Sequence, residues 1–190
     1  IDYSSTADKK KLESIDQWGS SITWTSMKNS FNGCANLSLT ATDVPDVSGV
    51  SDFSAAFQSA GTFNGDISAW DVSQGTNFSN MFKNASAFNQ NLSSWDVGQG
   101  TNFSNMFNRA TVFNSPLNSW DVSKGTAFNS MFSEATAFNQ ALNSWDVDSA
   151  TNFSEMFYYA SAFDQPLDSW NVSKGTNFSY MFNRASVFDQ

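Results

Sequence analysis

The chain has 190 residues, 40% of them hydrophobic, and 18 acidic against 9 basic residues give it a formal net charge of −9. That length suffices for one substantial domain, and the scarcity of Lys and Arg disfavours nucleic acid as a partner, because nucleic-acid binding needs clustered basic residues. No apolar run approaches the roughly 20 residues of a transmembrane helix, so we expect no membrane span in this segment. Histidine is absent and Cys34 is the single cysteine. The commonest general base and metal ligand is therefore missing, and we expect no enzymatic activity.

Residues 1–26 precede the repeat that fills the rest of the chain, and we predict that they form its N-terminal cap. The stretch ADKKKLESIDQWG is typical of an amphipathic helix with Leu12, Ile15 and Trp18 on one side and its end at Gly19. A stack of repeats needs such a cap because its first unit otherwise exposes an apolar face to water.

Residues 27–190 consist of 25-residue units, of which the first two are degenerate. The regular units carry one tryptophan each, at Trp70, Trp95, Trp120, Trp145 and Trp170. They also carry one Met-Phe pair each, at Met81-Phe82, Met106-Phe107, Met131-Phe132, Met156-Phe157 and Met181-Phe182. A unit this short cannot bury its apolar face alone, so the period predicts a solenoid of about seven stacked coils. The pattern stops partway through a unit at Gln190, from which we expect the native protein to continue.

Each unit begins with a predicted strand. The spacing Leu92-x-x-Trp95-x-Val97 matches the strand signature of leucine-rich repeats. Alternation along a strand places Trp95 and Val97 inward and Asp96 outward. We therefore expect short parallel strands along one face of the solenoid.

The next part of the unit is predicted to be a short helix. Its apolar residues recur at the spacing of about two helical turns with one buried face. They are Phe103, Met106, Phe107, Ala110 and Phe113. Between strand and helix lies Gly100, where a residue free to adopt positive φ lets the chain turn, and Gly75, Gly125 and Gly175 hold the same position. In the fourth regular unit Ala150 holds it, so that unit manages without glycine. The predicted fold is an α/β solenoid, a right-handed leucine-rich-repeat-like array with strands on one face and helices on the other.

The repeat unit FNQNLSSWDVGQGTNFSNMFNRATVFN resembles that of the BspA-like leucine-rich-repeat surface proteins, including the set first catalogued as mycoplasma lipoproteins. Units of that family read FNQ-x-I/L-S-x-W-D-V-S-x-x-T-x-M/F-x-x-M-F, and the resemblance covers about residues 27–190. Here phenylalanine replaces the usual methionine after the Thr-Asn pair, and glycine often replaces the valine before Thr. The resemblance implies display at the cell surface or outside the cell and a role in adhesion or partner binding. It supplies no catalytic residues.

The outward strand position carries a carboxylate in five successive units and an amide in the sixth. We call this row the acidic strip, which consists of Asp46, Asp71, Asp96, Asp121, Asp146 and Asn171. Carboxylates about 5 Å apart repel by on the order of 1–4 kcal/mol per pair, so something must offset the repulsion. One interpretation is that water, salt and nearby Ser and Asn donors do so, with each Asp accepting hydrogen bonds from the next coil. The other is that the strip binds a cationic partner, or holds calcium weakly at Asp96, Asp121 and Asp146.

Two more polar rows and one tyrosine pair are candidate surface features. The asparagine row, predicted to bond backbone groups at turns, consists of Asn64, Asn89, Asn114, Asn139, Asp164 and Asp189. The threonine row, predicted to be a row of helix caps rather than an ice-binding face, consists of Thr76, Thr101, Thr126, Thr151 and Thr176. Tyr158 and Tyr159 replace smaller or charged residues of other units, and we predict that they form a contact on the convex surface. The five repeat tryptophans are assigned to the core rather than to sugar stacking.

These features favour a non-enzymatic cell-surface or secreted repeat protein that mediates adhesion or protein–protein interaction through its repeated face. Two alternatives stay open, a structural self-assembling surface component and a carbohydrate-binding module. The expected partners are a protein or glycan at a cell surface or in a matrix, or a second copy of the chain. No cofactor is expected apart from weakly bound calcium.

Overall fold

The computed structural model describes residues 9–19 and 21–190. Its two named strands are β1 (Ser14–Ile15) and β2 (Ser38–Leu39), which pair in parallel with Ser14 opposite Ser38. Among the described residues of the predicted helix, Lys9 is helical, whereas residues 10–18 are not, so the helix predicted to continue through Trp18 is wrong over these residues. The remainder of that prediction, residues 7 and 8, lies outside them.

The amino-terminal segment is extended because its carbonyl groups bond the first repeat unit. The N–H of Ser38 donates to the carbonyl oxygen of Glu13 at 2.9 Å, and that of Thr40 donates to Ile15 at 3.0 Å. A helix would use those carbonyls internally. Tertiary pairing therefore overrides the helical pattern of this stretch.

Trp18 closes the apolar core at the amino-terminal end. Its side chain is 4% exposed, and its ring centroid lies 5.8 Å from that of Phe31 and 5.3 Å from that of Trp70. The backbone N–H of Trp18 donates to both carboxylate oxygens of Asp43, at 2.9 and 3.0 Å. The ring thus covers apolar surface that water would otherwise contact.

Backbone hydrogen bonds join consecutive units in a parallel register. Isolated parallel bridges link each of these residues to the next in the series: Asp52, Asn77, Asn102, Ala127, Asn152 and Asn177. In these units, the bridging residue directly precedes Phe103 or its equivalent. Residues 95–97 are not in a strand, so the strand predicted at Trp95–Val97 is wrong. The right-handed, leucine-rich-repeat-like winding of the units stays a prediction.

The stretch predicted to be a helix is a series of turns. The N–H groups of Phe103 and Asn105 donate to carbonyl oxygens of the next unit at 2.9 Å, and those of Phe107 and Arg109 continue the alternation. Between them, the N–H of Met106 donates back to Phe103 at 3.1 Å. Asn105 and Arg109 adopt φ of 57° and 59°, in the left-handed region. An α-helix would direct every N–H along its own axis, so this alternation corrects the prediction.

The apolar stripe of each unit is buried, as predicted. Phe103, Met106, Phe107, Ala110 and Phe113 are all 0% exposed. Phenylalanine rings from successive units stack in three rows, with adjacent centroids 5.2 to 6.1 Å apart. The rows are Phe53, Phe78, Phe103, Phe128, Phe153 and Phe178; Phe31, Phe57, Phe82, Phe107, Phe132, Phe157 and Phe182; and Phe63, Phe88, Phe113, Phe138, Phe163 and Phe188. These rows form the core that runs through the stack.

Gly100 gives the neighbouring ring space and does not adopt a left-handed conformation. The glycines with positive φ among the described residues are Gly19 and Gly33, so the turn role predicted for Gly100 and its equivalents is wrong. A Cβ at Gly100 would lie 2.3 Å from Cζ of Phe103, which is less than van der Waals contact. The absent side chain of Gly100 therefore makes room for the phenylalanine ring.

Candidate interaction surface

The acidic strip lies on the surface, flanked by buried side chains. Asp96 is exposed, whereas its neighbours Trp95 and Val97 are only 3% and 1% exposed. The inward and outward positions predicted for these three residues are thus confirmed, although no strand produces them. All six members of the strip are exposed: Asp46, Asp71, Asp96, Asp121, Asp146 and Asn171.

Each member of the acidic strip closes a local turn. Oδ1 of Asp96 accepts from the N–H of Gly98 at 3.0 Å, and Oδ1 of Asp121 accepts from the N–H of Ser123 at 3.0 Å. The same bond to the residue two positions later is made by Asp46, Asp71, Asp146 and Asn171. These Asx turns fix the side chains with donors from their own unit. The predicted hydrogen bonds from the next coil are therefore wrong.

Asp46 makes two further bonds, one of them to the segment that precedes the repeat. Its carboxylate accepts from the Thr23 hydroxyl at 3.0 Å and from the Ser48 hydroxyl at 2.7 Å. The Ser48 and Thr23 hydroxyls hold the pKa of Asp46 below its usual range. In the same way, the Ser123 hydroxyl and backbone N–H lower the pKa of Asp121. At these two positions of the strip, hydrogen-bond donors thus favour the ionised carboxylate.

Neighbouring carboxylates of the strip approach the same point. A Cβ placed on Gly98 would lie 3.2 Å from Oδ1 of Asp96 and 3.4 Å from Oδ2 of Asp121. Within residues 9–19 and 21–190, no three His, Cys, Asp or Glu side chains converge into a group able to hold a metal ion. Calcium at Asp96, Asp121 and Asp146 stays a prediction.

The asparagine row bonds the backbone of the following unit, which confirms its predicted role. Oδ1 of Asn64 accepts from the N–H of Asn89 at 2.9 Å, and Oδ1 of Asn89 accepts from Asn114 at 2.8 Å. The contact continues along the row to Asn139, Asp164 and Asp189. Oδ1 of each side chain from Asn64 to Asp164 thus joins one unit to the next.

The threonine row also joins units. The hydroxyl of Thr101 donates to the carbonyl oxygen of Thr76 at 3.1 Å, and its N–H donates to the same oxygen at 2.9 Å. The hydroxyls of Thr126, Thr151 and Thr176 repeat the bond to the preceding threonine. Because no helix follows them, the predicted role as helix caps is wrong.

A third tyrosine, Tyr180, lies in the same groove as Tyr158, and the sequence prediction missed it. Tyr158 and Tyr159 are half-buried and meet edge to face, with centroids 4.5 Å apart, while Tyr180 is 65% exposed. Tyr158 and Tyr180 line one groove together with residues of the last unit. The available signal was that Tyr180 replaces Asn105, which holds the same position three units earlier.

The described part of the chain has no accessible thiol group. Cys34 is 1% exposed, as predicted for a small buried residue, and burial raises the pKa of its thiol. A buried, protonated thiol is a poor nucleophile.

Two overlapping stretches, residues 25–141 and 117–190, match the family described as "Mycoplasma protein of unknown function, DUF285". The chain belongs to this family, because the matches together cover most of its length. A search of curated proteins finds no match. Within the part of the chain that the structure describes, no helix is long and apolar enough to cross a membrane.

Proposed function

We propose that this protein is a non-enzymatic cell-surface or secreted repeat protein that mediates adhesion or protein–protein interaction through the acidic strip. The proposal also relates the protein to the BspA-like leucine-rich-repeat surface proteins and assigns it their right-handed solenoid. It is supported by the motif of the repeat unit. The observation that carries it is the row of five exposed carboxylates at one repeat position, each held in an Asx turn.

A cationic protein surface is the partner that best fits this strip. Exposed carboxylates attract basic side chains, and complementary charge raises association rate and selectivity. The Asx turns reduce the freedom of side chains such as Asp96 and Asp121 before binding, so less conformational entropy is lost on association. We expect an interaction that weakens as salt is added, since exposed charges are screened within about 10 Å at 0.1 M ionic strength.

The test measures binding of the chain to immobilised matrix proteins and to a basic control protein, by biolayer interferometry at increasing salt. The variant Asp96→Asn/Asp121→Asn removes two charges and retains the turns, because Asn171 makes the same turn with Ser173 at 3.2 Å. We expect salt-sensitive binding that this variant loses.

A matched control is Asp52→Asn/Asp66→Asn, which removes two charges outside the strip. Asn77 and Asn91 hold these positions in the next unit and accept the same local N–H bonds, so the fold should tolerate the change. Equal loss of binding in both variants would argue against the strip as the interface. Light scattering at several protein concentrations separates an adhesin from a self-assembling component.

A further inference from the structure

A groove lies between the last two units, apart from the acidic strip and sharing no residue with it. It has a volume of about 350 Å³ and is lined by Glu155, Tyr158, Tyr180, Asn183 and Arg184. Small-molecule sites of proteins typically range from about 300 to 1,000 Å³. The groove is therefore of a size for a small ligand.

The aromatic lining is specific to these units. The position of Tyr158 is held by Lys83, Asn108 and Ser133 in the three preceding units. That of Tyr180 is held by Asn80, Asn105, Ser130 and Glu155. The repeat period alone therefore does not account for two aromatic rings at this place.

Tyr159 contacts two residues that line the groove. Tyr159 packs edge to face on Tyr158 at 4.5 Å, and the guanidinium carbon of Arg184 lies 4.9 Å from the centre of the Tyr159 ring. This cation–π contact holds Arg184 at the rim. Desolvation, followed by the neighbouring Tyr159, raises the pKa of Tyr158.

We infer that this groove binds a neutral saccharide of about one or two pyranose rings, a size set by its volume. The electron-rich face of a tyrosine attracts the weakly positive C–H bonds on one face of a sugar ring. The Glu155 carboxylate, the Asn183 amide and the Arg184 guanidinium supply acceptors and donors for sugar hydroxyls. Glu155 and Arg184 carry opposite charges, and the chain as a whole is at −9, which disfavours an anionic sugar.

The test is saturation-transfer NMR on the full chain with galactose, N-acetylglucosamine and lactose as probes, and with 3′-sialyllactose as the anionic comparison. The variant Tyr158→Asn/Tyr180→Asn gives the groove the residues of Asn108 and Asn105. Tyr180 adopts φ of 57°, as Asn105 does, and asparagine tolerates that conformation. We expect transfer to at least one neutral sugar, with affinity at least roughly tenfold lower in the variant, the loss that removal of stacking predicts.

Two controls separate this site from the rest of the surface. Lys83→Asn makes the same kind of change at the position of Tyr158 three units earlier and should leave sugar binding unchanged. Asp96→Asn/Asp121→Asn should also leave it unchanged, so failure of the strip proposal and failure of the groove proposal are distinguishable. The single variant Tyr180→Asn changes an exposed side chain and serves if the double variant does not fold.

No transfer to any neutral sugar from the unaltered chain would overturn the inference. So would equal binding by Tyr180→Asn and the unaltered chain, or tighter binding of 3′-sialyllactose than of lactose. Loss of transfer in both tyrosine variants, with unchanged melting temperature, would support it.

Discussion

The indole N–H of Trp120 donates a hydrogen bond of 2.9 Å to the carbonyl oxygen of Leu92 in the preceding unit. Trp145 makes the same contact with Leu117, also at 2.9 Å. The rings of Trp120 and Trp145 stack with centroids 6.4 Å apart. The indole N–H groups of Trp95 and Trp170 make the equivalent bond, so these four tryptophans each tie one unit to the unit before it. A buried indole N–H needs such an acceptor.

Trp120→Phe tests this bond. The change removes one of two donors to the Leu92 carbonyl, which still accepts the backbone N–H of Trp95 at 3.1 Å. Loss of this one hydrogen bond should lower the free energy of unfolding by about 0.5–1.5 kcal/mol in addition to lost packing. Trp24→Phe is the matched control, because Nε1 of Trp24 is buried without a hydrogen-bond partner in the described part of the chain. Denaturant titration followed by circular dichroism should show the larger loss for Trp120→Phe. Equal losses would mean that the bond contributes nothing beyond packing.

Phe132→Ala tests the phenylalanine rows. The ring of Phe132 stacks on Phe107 and Phe157 at 5.7 Å each and meets Phe138 at 3.9 Å. A cavity at this point should destabilise the chain by about 3–5 kcal/mol. Phe178→Ala removes a ring that is 40% exposed, so its melting shift should be clearly smaller. A shift near zero for Phe132→Ala would contradict the burial.

Gly100→Ala tests the packing role of glycine. The new methyl group would overlap the Phe103 ring, and such overpacking typically costs about 1–3 kcal/mol. Ala150 holds the position of Gly100 in the fourth regular unit, and there the phenylalanine ring is displaced along its row. The centroid of Phe153 lies 6.1 Å from that of Phe128 but 5.2 Å from that of Phe178. Thermal melting measures the effect.

The control for Gly100→Ala is Gly98→Ser in the same turn. Its neighbours are the ends of the Asp96 and Asp121 side chains, and Ser123 holds the position in the next unit. This variant should melt within about 2–4 °C of the unaltered chain, corresponding to a change of up to about 1 kcal/mol. If it melted as low as Gly100→Ala, general loss of glycine rather than the Phe103 contact would explain both.

Acid should destabilise the fold by protonating the Asp121 carboxylate of the acidic strip. The Ser123 hydroxyl is the first cause that lowers the pKa of Asp121 in the folded state. The stability that the ionised Asp121 contributes is therefore fully present above the unfolded pKa of about 3.9 and is lost as pH falls through the lower folded pKa. Melting temperature should therefore fall below about pH 4, and the fall should be smaller in Asp121→Asn. A higher melting temperature of Asp121→Asn at pH 7 would instead show that repulsion between carboxylates dominates.

Calcium titration by calorimetry tests the metal interpretation of the strip. Tight calcium sites need several converging oxygen ligands, so we expect no saturable heat below about 1 mM. Saturable heat in the micromolar range that disappears in Asp96→Asn/Asp121→Asn would establish a metal site instead. Asp52→Asn/Asp66→Asn again serves as the charge-matched control.

Prediction from sequence succeeded where a side chain's environment depends on composition and period. The stripe from Phe103 to Phe113 had to be buried whatever backbone carried it, since large apolar side chains leave water in any fold of this chain. The row of Asn64 and Asn89 was assigned correctly because asparagine at a turn regularly bonds nearby backbone. Tyr180 was missed because a single substitution at one repeat position carries no periodic signal.

The sequence by itself determined the 25-residue unit, its buried residues and the exposed row of carboxylates. Only the tertiary structure decided the backbone conformation, because the N–H groups of Phe103 and Asn105 can donate hydrogen bonds either within their own unit or to the next unit. Stacking aligns carbonyl oxygens of the next unit with these groups, and Asn105 accepts a left-handed conformation to reach them. Spacings of three and four residues suit one buried face in a helix or in these turns, so periodicity alone could not distinguish them.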